Sequence, residues 1–122
     1  MILLVEDEAI TRTALADTLR REGHEVIEAA DGNKALALLQ ESHFDLIITD
    51  VILPKQSGFV LVARIRVTWP HMPILLISGQ LSPEVGKNVS TGFTQFIQKP
   101  VDPVELVVTV KRLLQKSARL KK

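Results

Sequence analysis

No cysteine occurs anywhere in the chain, so neither a disulfide framework nor a thiolate metal site is possible, and a reducing compartment is compatible. Net charge is nearly absent as well: 15 Lys and Arg stand against 14 Asp and Glu, a formal charge of +1. That balance supplies no global field to draw in nucleic acid or an acidic membrane, so any charge-driven function must be local. No apolar run approaches the roughly 18 residues that span a bilayer. The start, Ile2-Leu3-Leu4-Val5 followed by acids, lacks the basic lead and long apolar stretch of a secretory signal, which makes the cytoplasm the expected compartment. Repeats, low-complexity segments and Pro/Gly/Ser linkers are missing too, and one domain over residues 1–122 is expected. What the chain does have is a 46% hydrophobic content, enough for a packed core at this length.

That hydrophobic content has a rhythm. Short apolar runs stand at Ile2 to Val5, Val26 to Ala30, Leu46 to Thr49, Ile74 to Ile77 and Phe96 to Ile97, each followed by a longer stretch of helical character. Strands alternating with helices predict an α/β fold, a mainly parallel sheet with helices on both faces. The solid runs Leu46-Ile47-Ile48 and Ile74-Leu75-Leu76-Ile77 suit the middle of such a sheet. Glu25 to Glu28 and Gln95 to Gln98, polar at both ends, suit its edges. The order 2-1-3-4-5 meets both conditions.

Helix signals agree with this reading. Glu8 to Glu22 places Leu15 and Leu19 on one face, with Gly23 as a stop and Glu8 as a first-turn acid. Asn33 to Gln40 is the next candidate, and Ser57-Gly58 leads into a helix that carries Leu61 and Ile65 and ends before Pro70. Asp102-Pro103-Val104-Glu105 is an N-cap acid, a proline at the first helical position and an acid placed for a capping box. Ser82-Pro83-Glu84 opens a fourth helix whose following residues are poor helix formers, so a short or mobile element is expected there.

In doubly wound folds the ligand site lies beyond the carboxyl ends of the strands. Strand one runs into Glu6-Asp7-Glu8, strand three ends in Asp50, strand four in Ser78 and strand five in Lys99-Pro100. Clustered carboxylates repel unless a cation neutralises them. Magnesium, which takes one or two carboxylates, waters and a phosphate oxygen, fits Asp7 and Asp50 with Glu6 behind them. Zinc is disfavoured, because His24, His43 and His71 show no ligand spacing. With a divalent ion present, Asp50 is the best nucleophile toward phosphorus. Lys99 would offset charge on the phosphoryl oxygens, and Ser78 would donate a hydrogen bond to one of them. Against this stand plainer readings: strand-end acids that cap helices or sit in solvent, Glu6 as a solvated loop acid and Phe96 as an edge-strand aromatic. The basic end from Lys111 to Lys122 needs no nucleic acid to explain it, since cations gather at helix C-termini through the dipole. Trp69 receives no role.

Leu3-Leu4-Val5-Glu6-Asp7-Glu8, Thr49-Asp50-Val51-Ile52-Leu53-Pro54 with Ser57-Gly58, Ile77-Ser78-Gly79 and Phe96-Ile97-Gln98-Lys99-Pro100 occur in an order and spacing similar to the receiver domain of bacterial response regulators. The resemblance runs from Leu3 through the last helix, toward the chemotaxis-regulator-like members. It implies a doubly wound (βα)5, flavodoxin-like three-layer sandwich. It implies phosphorylation of Asp50 by a histidine kinase or histidine phosphotransfer protein, with Mg2+ or Mn2+ held by Glu6, Asp7, Asp50 and the backbone carbonyl of Ile52. It also implies a cis Lys99-Pro100 peptide and a switch in which Ser78 moves toward the phosphate and Phe96 turns inward. The switch remodels the surface of the fourth helix, fifth strand and last helix, where two copies can also pair. A phosphoacceptor that acts only on itself is not an enzyme in the usual sense, and neither nucleic acid nor membrane is an expected direct partner. The chain departs from the pattern in having Glu6 where many members have Asp, Gly79 where alanine is usual, and Thr91-Gly92-Phe93-Thr94 before strand five.

Four other readings are weighed. A flavodoxin-like mononucleotide binder would need a Ser/Thr/Gly-rich loop where Glu6-Asp7-Glu8 would repel phosphate. An aspartyl-phosphate phosphohydrolase would carry a second acid where Ile52 stands. A receiver cut from a longer hybrid kinase or multidomain regulator, or a degenerate receiver that binds without phosphorylation, has the same sequence features.

Overall fold

The computed structural model describes residues 1–54, 57–79 and 93–120, the last three by backbone alone. In order these form β1 (Ile2–Val5), α1 (Ala9–Arg21), β2 (Val26–Ala29), α2 (Gly32–Glu41), β3 (Leu46–Asp50), α3 (Gly58–Thr68), β4 (Ile74–Ser78), β5 (Thr94–Gln98) and the last helix, α4 (Pro103–Leu120). All neighbouring strands pair parallel, in the order β2-β1-β3-β4-β5. The helix expected from Ser82 lies outside the described residues.

The strands form where the apolar runs stand, because alternate side chains of each can be buried on opposite faces. Ile2 and Leu4 of β1, Leu46 and Ile48 of β3 and Leu75 and Ile77 of β4 join one core with Leu15, Ala16 and Leu19 of α1 and Leu106, Val110 and Leu113 of α4. Leu3, Val5, Ile47, Ile74 and Leu76 face the other way, against Ala35 and Leu39 of α2 and Leu61, Val62 and Ile65 of α3. β1, β3 and β4 are buried along their whole length, whereas β2 and β5 carry exposed positions, as edges do. Each fully buried leucine or isoleucine contributes about 1.5–3 kcal/mol relative to exposure.

Helix ends follow local chemistry. Asp31 caps α2 by accepting from the Lys34 amide at 2.8 Å, and Ser57 caps α3 by accepting from Val60 at 3.2 Å. Gly23, at φ +92°, turns the chain out of α1, and its amide donates to the Arg20 carbonyl. The box expected before α4 is half built: Asp102 accepts from the Val104 amide at 2.9 Å, and no bond from Glu105 returns to it. Glu8 is the N-cap of α1 and not a first-turn acid; its carboxylate accepts from the Thr11 hydroxyl instead of a backbone amide.

Register decides which residues meet. Val5 lies beside Thr49, Asp50 beside Ile77, and Ser78 beside Gln98, so Asp50 and Ser78 are final ladder residues and Lys99 follows directly. At the opposite end of the sheet, Arg66 ties α3 to β5 by donating to the Thr94 hydroxyl at 2.7 Å and the Met72 carbonyl at 2.5 Å.

Candidate functional site

Glu6 follows β1 and stays in the ladder, its amide donating to Ala29 at 3.0 Å. The Arg12 guanidinium of α1 grips the Glu6 carbonyl at 2.8 Å and reaches Glu28 at 3.4 Å. Held this way, Glu6 is only 2% exposed. Its Oε1 accepts from the Glu8 amide at 3.2 Å and its Oε2 accepts from Lys99 at 3.3 Å. The next residue, Asp7, is exposed at the mouth. Carboxylate oxygens of Glu6, Asp7 and Asp50 all lie within 4.8 Å of one another.

Asp50 is 7% exposed. Its Oδ2 accepts from the Lys99 ammonium at 2.7 Å and its Oδ1 from the Ile52 amide at 3.2 Å. Gly58 is required beside it. The Gly58 amide donates to the Val51 carbonyl at 2.6 Å, and a Cβ here would collide with the Asp50 carbonyl oxygen and stand 2.9 Å from Val51 Cα. Lys99 is aimed by the main chain: its amide donates to the Ser78 carbonyl at 2.8 Å, and the Lys99-Pro100 peptide is cis. Ser78 is buried at the end of β4.

The electrostatics follow from this crowding. Burial, then the nearby Asp50, raises the Glu6 carboxyl from 4.5 to about 7 against the opposing pull of the Glu8 amide and Lys99. For Lys99, burial works to lower the pKa, but the Asp50 hydrogen bond and the Glu6 and Asp50 charges outweigh it and raise it above the ordinary value. An oxygen-only, acid-rich donor set in this space suits a hard divalent cation such as Mg2+. The histidines are dispersed: His43 pairs with Asp45 and His71 lies against Phe93.

Thus Glu6, Asp7, Asp50 and Lys99 are brought together, with Ser78 at the neighbouring strand end. Ile52 is placed by its amide, while its side chain is 66% exposed. Phe96 is half-buried two strands from Asp50, its ring edge-to-face with Phe59 at 6.3 Å. Arg12 and Phe59 were not apparent from the sequence, since each acts through a residue of another element. Gly58 was visible as a helix start but not as a close approach. Thr91 and Gly92 lie outside the described residues. No described helix is long and apolar enough to cross a membrane.

The family model described as the response regulator receiver domain matches residues 2–111. The chain is 37% identical over 119 residues to the transcriptional regulatory protein AfsQ1 of Streptomyces coelicolor, covering 97% of this chain and 52% of the relative. It therefore spans about half the length of the curated relatives it matches. Among solved structures, the chemotaxis response regulator CheY4 of Vibrio cholerae superposes with a TM-score of 0.82 at 37% identity, over 92% of this chain and 96% of that one. The receiver domain of NtrX from Brucella abortus superposes at 0.86 with 31% identity, over 94% and 98% of the two chains. On these grounds, with the β2-β1-β3-β4-β5 sheet and the acidic cluster at its carboxyl edge, the chain belongs to the response regulator receiver domain family.

Proposed function

We propose that Asp50 is the residue that accepts the phosphoryl group, within a receiver formed by residues 1–122. The observation that carries this is the Lys99 ammonium at 2.7 Å from Asp50 and 3.3 Å from Glu6, inside a group of carboxylates that no other cation of the chain neutralises among the described residues. A carboxylate oxygen of Asp50 attacks phosphorus as the P–N bond of a phosphohistidine breaks, and the electron pair stays on the imidazole nitrogen. Lys99 stabilises charge on the transferring oxygens, the Ile52 amide orients the acceptor carboxylate, and Ser78 donates to a phosphoryl oxygen once it is in place. Glu6, Asp7, Asp50 and the Ile52 carbonyl would hold Mg2+ or Mn2+. Such an ion, when bound, offsets charge between carboxylate and phosphoryl oxygens.

The chemistry is performed on the protein's own side chain, so turnover of an outside substrate is no part of this reading. A histidine kinase or histidine phosphotransfer protein is the donor, in the cytoplasm. The output is a change at the surface of the helix expected from Ser82, β5 and α4, with Ser78 and Phe96 as the moving parts, and that surface also serves a second copy if the protein pairs.

Incubation with acetyl phosphate and Mg2+ followed by mass measurement tests the proposal. A magnesium-dependent, base-labile gain of one phosphoryl group that Asp50→Asn abolishes is the expected result. No gain in the unaltered chain would leave a receiver that binds partners without phosphorylation.

A further inference from the structure

The Asp50 loop and the aromatic of β5 are joined through α3. Val51, next to the acceptor, takes a 2.6 Å hydrogen bond from the Gly58 amide, and the missing side chain of Gly58 lets the first turn of α3 rest on the Asp50 backbone. Phe59 is the next residue. Its half-buried ring meets Phe96 edge-to-face, with centroids 6.3 Å apart and planes at 61°. Phe96 in turn lies in register with Leu76, two residues before Ser78. A shift of the Val51 backbone is passed by this short hydrogen bond to the first turn of α3, which carries the ring that flanks Phe96.

We propose that Phe59 is a positioning residue of the switch: its ring holds Phe96 in the position seen here until a phosphoryl group on Asp50 displaces the first turn of α3, which carries Phe59. This rests on the reading of Asp50 as phosphoacceptor. The edge-to-face pair holds one position of Phe96, so its loss favours the other position that the switch requires. A ligand can move such an equilibrium only by its differential interaction with the two states, and Phe59 supplies part of that difference.

The test uses the whole chain with fluorophenylalanine at its four Phe positions. The 19F resonance of Phe96 is identified by its absence in Phe96→Leu. Phosphoryl occupancy of Asp50 is read in parallel by mass. Phe59→Leu, which keeps core volume where Phe59→Ala would leave a cavity, is expected to raise the population of the second Phe96 environment in the unphosphorylated chain about three- to tenfold. Phe59→Tyr, which keeps the ring, should match the unaltered chain, and so should Val60→Ala at the exposed next position. Equal Phe96 populations in Phe59→Leu and the unaltered chain, at equal Asp50 occupancy, would overturn the proposal and reduce Phe59 to core packing. If the unaltered chain takes up no phosphoryl group, the mass reading shows that the phosphoacceptor assignment has failed, and the switch falls with it.

Discussion

The Lys99 ammonium donates to the Asp50 carboxylate across 2.7 Å, although the two residues are 49 positions apart. Lys99 is the cation that balances the Glu6 and Asp50 carboxylates, and on the proposed reading it also offsets charge on a transferring phosphoryl group. Lys99→Met is expected to slow phosphorylation by acetyl phosphate about a hundredfold. The same change should tighten Mg2+ binding, because it removes a cation that competes for the same oxygens. Phosphorylation rates and calorimetric titration with Mg2+ check the two effects separately.

Glu6 predicts an unusual pH dependence. Its carboxyl is raised from 4.5 to about 7, so across that window the folded chain retains a proton that the unfolded chain has released. Stability therefore falls as pH rises from 4.5 toward 7, and the loss is complete above the folded value. Its size is on the order of 3 kcal/mol. Lys99 does not interfere, since the stability linked to its raised pKa is fully present below 10.5. Urea unfolding from about pH 5 to about pH 8 without divalent cations should show the fall, and Glu6→Gln should flatten it.

Two glycines near the site are expected to respond oppositely to alanine. At Gly58 the added methyl strikes the Asp50 carbonyl oxygen, so Gly58→Ala should cost about 1–3 kcal/mol and displace Asp50. At Gly79 the methyl meets, among the described residues, only Lys99 Cβ at 4.0 Å, and the backbone is not left-handed. Gly79→Ala should therefore stabilise the chain by about 0.4–1 kcal/mol through the unfolded state. Paired denaturation curves distinguish the two outcomes.

Ile52 sets an exposed apolar side chain, 66% accessible, two residues past Asp50. Such a side chain cannot orient an attacking water, so the aspartyl phosphate should be long-lived. Ile52→Asn is expected to speed its hydrolysis several-fold, up to about tenfold. Decay of the phosphorylated mass in time is the measurement, and an unchanged half-life would remove Ile52 from the account.

The strands, most helices, the sheet order and the residues at the strand ends were legible in the order of amino acids, because all of them follow from local signals. Apolar runs such as Leu46-Ile47-Ile48 demand burial on both faces, Asp102-Pro103 starts a helix wherever it stands, and Asp50 and Lys99 are placed once the strands are. Glu8 was misplaced by one position, since helix ends are settled by competing hydrogen bonds that no spacing reveals. Only the tertiary structure decided that Arg12 clasps the Glu6 carbonyl, that Gly58 rests on the Asp50 backbone, that Phe59 meets Phe96 and that Arg66 bridges α3 to β5. Each of these depends on the register and rotation of one packed element against another. Many pairs of side chains satisfy the same local pattern, and close packing selects the pairs that touch.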